Sequence, residues 1–317
     1  MKRVLITGAT GFVGKNLARH LRARNYYTIG LSRRDLRQDL QELSLDESVQ
    51  HDFVEEESCL SLKIPEVEYI VHLSGNAHQS TELDYEEYYK VNILATEKLL
   101  KSAQKMSIKK FIYISTIKVN GDITKPGEAF TESMDYCPSD KYSKSKYQAE
   151  LITHTICTEA SMKYVILRPP LIFGPGVKAN FRALMAIVKT GVPLPFSGIK
   201  NKRSFVYVDN FSDLVEKCLS SMKVDNNTYL VKDISISLPE LLRALKSELA
   251  SKTVLFYCPL PILNISARLL GKASAIDKLS QSLVIDDSKI RKHLEWTPPK
   301  TFPEAIRQTV RWYQSEG

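Results

Sequence analysis

Apolar residues along this chain follow two rhythms that alternate. Short, mostly apolar runs at 4–6, 27–31, 69–73, 109–114 and 163–167 fit strands buried on both faces. Residues 49–54 add a further strand after the second run. Between the runs lie stretches with apolar residues three and four apart. They include 16–24 (Leu17, Ala18, Leu21), 88–105 (Val91, Leu94, Ala95, Leu99, Leu100) and 142–156. That spacing predicts helices. Strand–helix alternation predicts an α/β fold, a doubly wound parallel sheet covered by helices. Past residue 170 the alternation fades. Helices are expected at 179–191, 238–251 and 303–313, a proline-rich loop at 193–197 and a short alternating strand at 203–209. No internal repeat or low-complexity tract is present.

The first strand runs into Thr7-Gly8-Ala9-Thr10-Gly11-Phe12-Val13-Gly14, and a helix follows. A side chain at Gly8 would obstruct the turn. At Gly11 it would hold a pyrophosphate off the backbone, and at Gly14 it would hold the helix off the sheet. The helix N-terminus offers unpaired N–H groups to phosphate. The competing reading is a tight turn without a ligand. We expect a dinucleotide-binding Rossmann domain over 1–170, with 203–230 returning to it, and a mostly substrate-binding lobe over 171–317.

Several strand ends carry candidate cofactor residues. Arg33 and Arg34 follow the second strand, where an acidic residue would hold a ribose 2′-hydroxyl and arginine accommodates a 2′-phosphate. NADP(H) is therefore favoured, with NAD(H) as the alternative, because Asp35 comes next. Asp52, with Phe53, is either an adenine contact or a surface turn residue. Leu73 ends the fourth strand, and Ser74-Gly75-Asn76-Ala77 form a small-residue loop after it that lets a ligand approach the backbone. His72 reads as a structural histidine there, and His78 as a candidate substrate contact. Asn92 interrupts an apolar stripe. A buried amide needs partners, so it is expected to anchor backbone near the cofactor.

Tyr142 and Lys146 stand one helical turn apart. A phenol of pKa ≈ 10 is a poor base at neutral pH. A nearby ammonium favours the phenolate, and lysine can also bond a ribose. A hydroxyl from Ser115 or Thr116 is expected to hold a substrate oxygen beside Tyr142. These groups make a proton-transfer site beside a hydride carrier. The competing reading is an exposed helix face. Pro169 closes the sixth strand, and Phe173-Gly174-Pro175-Gly176 marks an unusual loop.

Composition narrows the partners. Net charge is +8, but the basic residues are dispersed, which favours phosphorylated ligands over nucleic acid. The five cysteines form no C-x-x-C pair, so neither a disulfide frame nor a metal site is expected, and reduced thiols suit a cytoplasmic protein. The start of the chain leads straight into a strand, which predicts no signal peptide. The apolar run 254–270 is broken by Pro259, Pro261, Asn264 and Arg268, so we expect a packed helix and loop there. A peripheral membrane contact is the lesser alternative.

Together these motifs resemble the extended short-chain dehydrogenase/reductase superfamily and its nucleotide-sugar epimerases, dehydratases and reductases. The resemblance spans essentially the whole chain, including the tail from Asp287 to Trp296-Thr297-Pro298. It implies Thr116 as the catalytic hydroxyl with Ser115 as its neighbour, Tyr142 as proton donor or acceptor, and Lys146 as its tuner and ribose contact. It places Asn180 and Arg203 on the nucleotide diphosphate and implies a homodimer. Similar 4,6-dehydratases carry Asp-Glu after the catalytic threonine. Ile117 and Lys118 stand there instead, which argues against dehydration and leaves Lys118 as a substrate contact. The run 115–121 is similar to a subgroup of UDP-glucose 4-epimerase-like proteins and UDP-4-keto-sugar reductases. It implies reduction of a 4-keto-6-deoxy-N-acetylhexosamine on UDP for surface polysaccharide, or 4-epimerisation with bound NAD. A non-catalytic NADP-binding scaffold is the third reading, and the Tyr142/Lys146 pair speaks against it.

Overall fold

The computed structural model describes residues 1–55, 66–76, 83–106, 108–269 and 273–316. Seven strands make one sheet: β1 (Lys2–Thr7), β2 (Tyr26–Ser32), β3 (Glu47–Gln50), β4 (Tyr69–His72), β5 (Lys110–Ile114), β6 (Lys163–Arg168) and, later in the chain, β9 (Asn227–Leu230). Their order is β3-β2-β1-β4-β5-β6-β9, parallel throughout. The order reverses between β1 and β4, and open α/β sheets of this kind bind ligands at that crevice.

Both faces of the sheet are covered, which is why its strands read as continuous apolar runs. Val4 and Ile6 of β1 point to one side and meet α1 (Phe12–Ala23) and α7 (Val208–Ser220). Leu5 points to the other side, toward α4 (Ala95–Lys105) and α5 (Lys141–Glu159). α4 continues a short α3 (Tyr85–Tyr88) through a π-helical turn at Tyr89–Leu94, so the helix expected at 88–105 starts earlier and carries Asn92 in its wide turn. α2 (Leu40–Leu43) is a single turn. The strand expected at 49–54 sits at Glu47–Gln50 instead. Asp52 accepts the N–H of Val54 (2.8 Å) and turns the chain there.

The smaller sheet, ordered β10-β8-β7, contains β7 (Leu171–Phe173), β8 (Arg203–Tyr207) and β10 (Ile234–Ile236). β8 thus lies in this sheet; the chain rejoins the large one through α7 and β9, and Ile290 and Trp296 pack onto the same core later on. Around it pack α6 (Ala179–Lys189), α8 (Leu238–Glu248) and α12 (Phe302–Ser315), burying Phe173, Phe181, Leu242 and Ile306. α8 and α12 each begin with a capping box, Ser237 with Glu240 and Thr301 with Glu304. α9 (Leu260–Leu269), α10 (Ala273–Ser280) and α11 (Ser288–Leu294) complete the chain's helices among the described residues. Of the stretch 254–270, the described residues 254–269 are a loop and helix, as its interruptions imply.

One buried cation locks β5 to the α7–β9 connection. Lys110 donates to the carbonyls of Cys218 (2.8 Å) and Ser221 (2.6 Å) and pairs with Asp225 (2.7 Å). Lys110→Met leaves that carboxylate and both carbonyls unmatched. It is expected to cost about 3–5 kcal/mol in urea unfolding; a loss below about 1 kcal/mol would contradict the packing described.

Candidate active site

β1 enters the glycine turn at Gly8, whose φ of +68° is left-handed. The Gly11 N–H donates to the Gly8 carbonyl (2.9 Å), and Gly11 becomes the N-cap of α1. A Cβ on Gly14 would lie 2.2 Å from the Gly8 carbonyl oxygen, so the helix seats on the turn only because nothing intervenes. α1 carries no side-chain cap and no acidic residue in its first turn, so its N-terminal dipole is uncompensated.

Hydrogen bonds tie this turn to the next crossover. Thr7 Oγ1 accepts from the N–H groups of Leu73 (3.1 Å) and Ser74 (3.0 Å). Its own hydroxyl therefore donates to His72 Nδ1 (2.7 Å). His72 Nε2 then donates to Thr96 Oγ1 (2.9 Å), and Thr96 donates to the Asn92 carbonyl (2.7 Å). Burial, and then the charge of Lys146, pushes His72 down to about 3, so it is a neutral structural imidazole. The Asn92 side chain accepts from the Asn76 N–H (2.7 Å) and donates to the Asn76 carbonyl and to Ser145 Oγ (2.9 Å). It anchors backbone beside the cavity, as a buried amide in that stripe requires.

Asp140 caps α5 by accepting the Ser143 N–H (2.7 Å), and the first turn of this helix presents Tyr142. The Tyr142 hydroxyl is hydrogen-bonded to Thr116. Lys146, one turn on, donates to the Ile114 carbonyl (2.7 Å) and lies 4.2 Å over the Tyr113 ring. The spacing argument expects the ammonium to lower the phenol's pKa. Instead, burial and then the Asp140 carboxylate hold Tyr142 well above the usual phenol range, opposed by the Thr116 bond. Burial also pushes Lys146 down to about 7, opposed by Glu150.

Ser115 and Thr116 part company. Ser115 donates to Glu150, and Glu150 also takes the Arg168 guanidinium on both oxygens, Nε at 2.9 Å. Arg168 donates further to Asn120 Oδ1 (2.9 Å) and stacks on Tyr136. This buried pair escaped the sequence reading, although Glu150 stands four residues after Lys146 on the same helix.

A cavity of about 250 Å³ gathers these parts. Gly8, Gly11, Phe12, Val13, Gly14, Leu73 and Gly75 line it with Ser115, Tyr142 and Lys146; Asn76 of the loop after β4 lines it too, as does Ile114, which sequence reasoning did not place at the site. Ser74 and Pro169 act through backbone: Ser74 gives its N–H to Thr7, and the Pro169 carbonyl accepts from Ile117 (3.0 Å). Other expected residues lie elsewhere. The Phe53 ring is core, packed edge-on to His51. Asp52 caps its own turn. Lys118 is held by Asp140 (2.6 Å) and Asp122 (3.3 Å) rather than left for substrate. Asn180 is exposed on the first turn of α6, and Arg203 sits at the start of β8; neither lines this cavity. His78 lies outside the described residues. At the end of β2, Asp35 is locked by Arg37 (2.6 Å) and Arg34 by Asp39 (2.9 Å). Arg33 is exposed and has no ion pair among the described residues.

Comparison with known proteins agrees with this architecture. The family model described as NAD dependent epimerase/dehydratase family matches residues 4–231. The chain is 34% identical to a UDP-glucose 4-epimerase of Vibrio cholerae, over 98% of this chain and 95% of that protein. It is 25% identical to a dTDP-glucose 4,6-dehydratase of Salmonella typhimurium, over 98% of this chain and 92% of the relative. Its fold is similar to a UDP-glucuronic acid 4-epimerase from Bacillus cereus solved with NAD (TM-score 0.78, 19% identity, 99% of each chain). It is also similar to a UDP-glucose 4-epimerase from Thermotoga maritima solved with UDP-glucose (TM-score 0.77, 21% identity, 99% of each chain). With most of its length matched by the family model and this architecture beneath it, the chain belongs to the NAD dependent epimerase/dehydratase family.

Proposed function

We propose that this protein catalyses hydride transfer at C4 of a UDP-sugar, as the reductase of a 4-keto-6-deoxy-N-acetylhexosamine. Tyr142 and Lys146 on the cavity wall, with the Thr116 hydroxyl acting on the phenol from just behind it, carry the reading. A nicotinamide dinucleotide suits the glycine turn, where no Cβ stands between bare N–H groups and the cavity. When bound it supplies the hydride. Gly8, Gly11 and the start of α1 would hold its diphosphate, and Lys146 would bond its ribose. Thr116 fixes the substrate oxygen, and Tyr142 gives its proton to the alkoxide that forms there. A raised phenol pKa keeps that proton in place until the alkoxide appears.

Arg33 supports NADP(H). At the end of β2, where a ribose 2′-phosphate is read, it has no ion pair among the described residues, and the neighbouring carboxylate Asp35 is already paired with Arg37. An exchangeable NADPH fits net reduction. The Vibrio relative supports a second reading, 4-epimerisation of a UDP-hexose with retained NAD. Dehydration is disfavoured: Ile117 is buried against Leu230 and Leu283, and the Lys118 ammonium is tied to two carboxylates. The family resemblance carries the further expectation of a homodimer serving surface-polysaccharide synthesis.

A panel of UDP-, dTDP- and GDP-sugars with NADH and NADPH, read by mass spectrometry, separates the readings. Stoichiometric NADPH oxidation with a UDP-4-keto sugar is expected; interconversion of two UDP-hexoses without added cofactor would replace reduction by epimerisation. Arg33→Ala is expected to raise the KM for NADPH about tenfold and leave that for NADH unchanged. An equal effect on both would remove the case for the 2′-phosphate. Tyr142→Phe is expected to lower kcat about 10³-fold while nicotinamide fluorescence still reports cofactor binding. Turnover near that of the unmodified protein would end the proton-transfer assignment.

A further inference from the structure

The smaller lobe carries an apolar ridge that the active site does not use. Leu194 and the 254–256 segment exchange main-chain bonds, Leu194 N–H to the Val254 carbonyl (2.8 Å) and Phe256 N–H to the Leu194 carbonyl (3.0 Å). On this ribbon Val254, Phe256 and Tyr257 point outward, Tyr257 with 70% of its surface exposed. The Tyr257 ring packs over Gly198, where a Cβ would meet it at 2.7 Å. α9 follows at once. Its Leu263 faces the core, while Ile262 and Ile265, one turn apart, are 58% and 60% exposed. The ridge is thus continuous from a strand-like ribbon onto a helix, with large aliphatic side chains turned to solvent. Isolated exposed apolar residues are ordinary, but a contiguous set marks a contact surface.

The charges around the ridge decide what it meets. Residues 160–208 contain eight lysines and arginines and no acidic residue. Residues 249–276 contain Lys252, Arg268 and Lys272 and again no acidic residue. Leu194 and Gly198 of the first segment and residues 254–265 of the second make the ridge, while Arg168 and Arg182 of the first are paired elsewhere, with Glu150 and Glu316. Lys189, Lys200, Lys252 and Arg268 are exposed beside it, and none has an ion pair among the described residues. A second copy of this chain is a poor occupant, because a two-fold interface presses the same cations against each other. A nucleic acid is also poor, because mostly aliphatic side chains give no platform for base stacking. Apolar side chains rimmed by cations match a surface with an apolar interior and anionic headgroups. No helix among the described residues is long and apolar enough to cross a membrane, so such a contact is superficial.

We propose that this ridge, α9 with the 254–257 ribbon, docks the protein on an anionic phospholipid bilayer. Ile262, Ile265 and Tyr257 enter the headgroup boundary, and the flanking lysines and Arg268 meet the lipid phosphates. The test is co-sedimentation of the full chain with vesicles of phosphatidylcholine alone or with about 30% phosphatidylglycerol, at low and high salt. Binding to the anionic vesicles is expected to exceed binding to the neutral ones about tenfold and to fall with salt. Ile262→Asp with Ile265→Asp is expected to lower it about tenfold, with the melting temperature and solution activity unchanged. Lys252→Glu with Arg268→Glu is expected to remove most of the salt dependence. Equal binding to both vesicles, no binding, or full binding by the Ile262/Ile265 variant would overturn the proposal. So would dissociation of an oligomer by that variant in ultracentrifugation, which would make the ridge an interface between copies.

Discussion

A single line of hydrogen bonds crosses the carboxyl end of the sheet, and the rest of the site hangs from it. It starts at Thr7, where β1 enters the glycine turn, and passes through His72 on β4 to Thr96 and the Asn92 carbonyl in the helix behind. The Asn92 side chain carries it to Ser145, which donates to the Tyr142 carbonyl (2.7 Å). The phosphate end of the cleft and the phenol end are therefore held in one register. The line works because His72 is neutral: a protonated ring would have two donors and nothing to offer the Thr7 hydroxyl. Burial, which holds the imidazole neutral, is thus a condition for the geometry of Tyr142. The wide π turn at 89–94 belongs to the same device, for it carries Asn92, whose side chain grips both Asn76 and Ser145.

Local spacing explains which parts of this could be read in the sequence. The three glycines and the Tyr142/Lys146 pair lie within single elements, so their geometry follows from one turn or one helix. Asn92 was legible as an amide breaking an apolar stripe. The line joining them was not, because Thr7, His72, Thr96 and Ser145 come from four elements far apart in the chain. Ser115 and Thr116 show the limit most plainly. By strand-end position alone the two hydroxyls are equivalent, and it took the family resemblance to single out Thr116; the bond from Ser115 to Glu150, which Arg168 of β6 also holds, lay beyond either argument. Lys118 was misplaced for the same reason: Asp140 and Asp122 claim its charge through space. The alternating strand that carries Arg203, expected to rejoin the large sheet, belongs to the small one, because its partners β7 and β10 lie far from it in the chain.

Two buried charge systems lie side by side behind the cavity, and they divide the labour. Glu150 and Arg168 satisfy each other, with Ser115 and Asn120 taking their remaining capacity, so they fix the ends of β5 and β6 without a ligand. Among the described residues Lys146 meets a carbonyl and an aromatic face. Glu150, whose charge favours the ammonium, is already engaged by Arg168 and Ser115. Burial outweighs it, and the Lys146 pKa falls to about 7.

That imbalance has a definite sign. A lysine depressed from its usual value costs stability at neutral pH, because between about pH 7 and 10.5 the unfolded chain holds the proton and the folded one resists it. Stability from this group rises as pH rises through that window. An anion entering the cleft reverses the balance by restoring the charged form. Binding of an anionic ligand and proton uptake by Lys146 are thereby coupled, and the coupling is reciprocal. The same anion raises the phenol of Tyr142, while the restored ammonium one helical turn away lowers it. The proton on the phenol is therefore set by the balance of two opposed charges, one brought by the ligand and one that the ligand recharges.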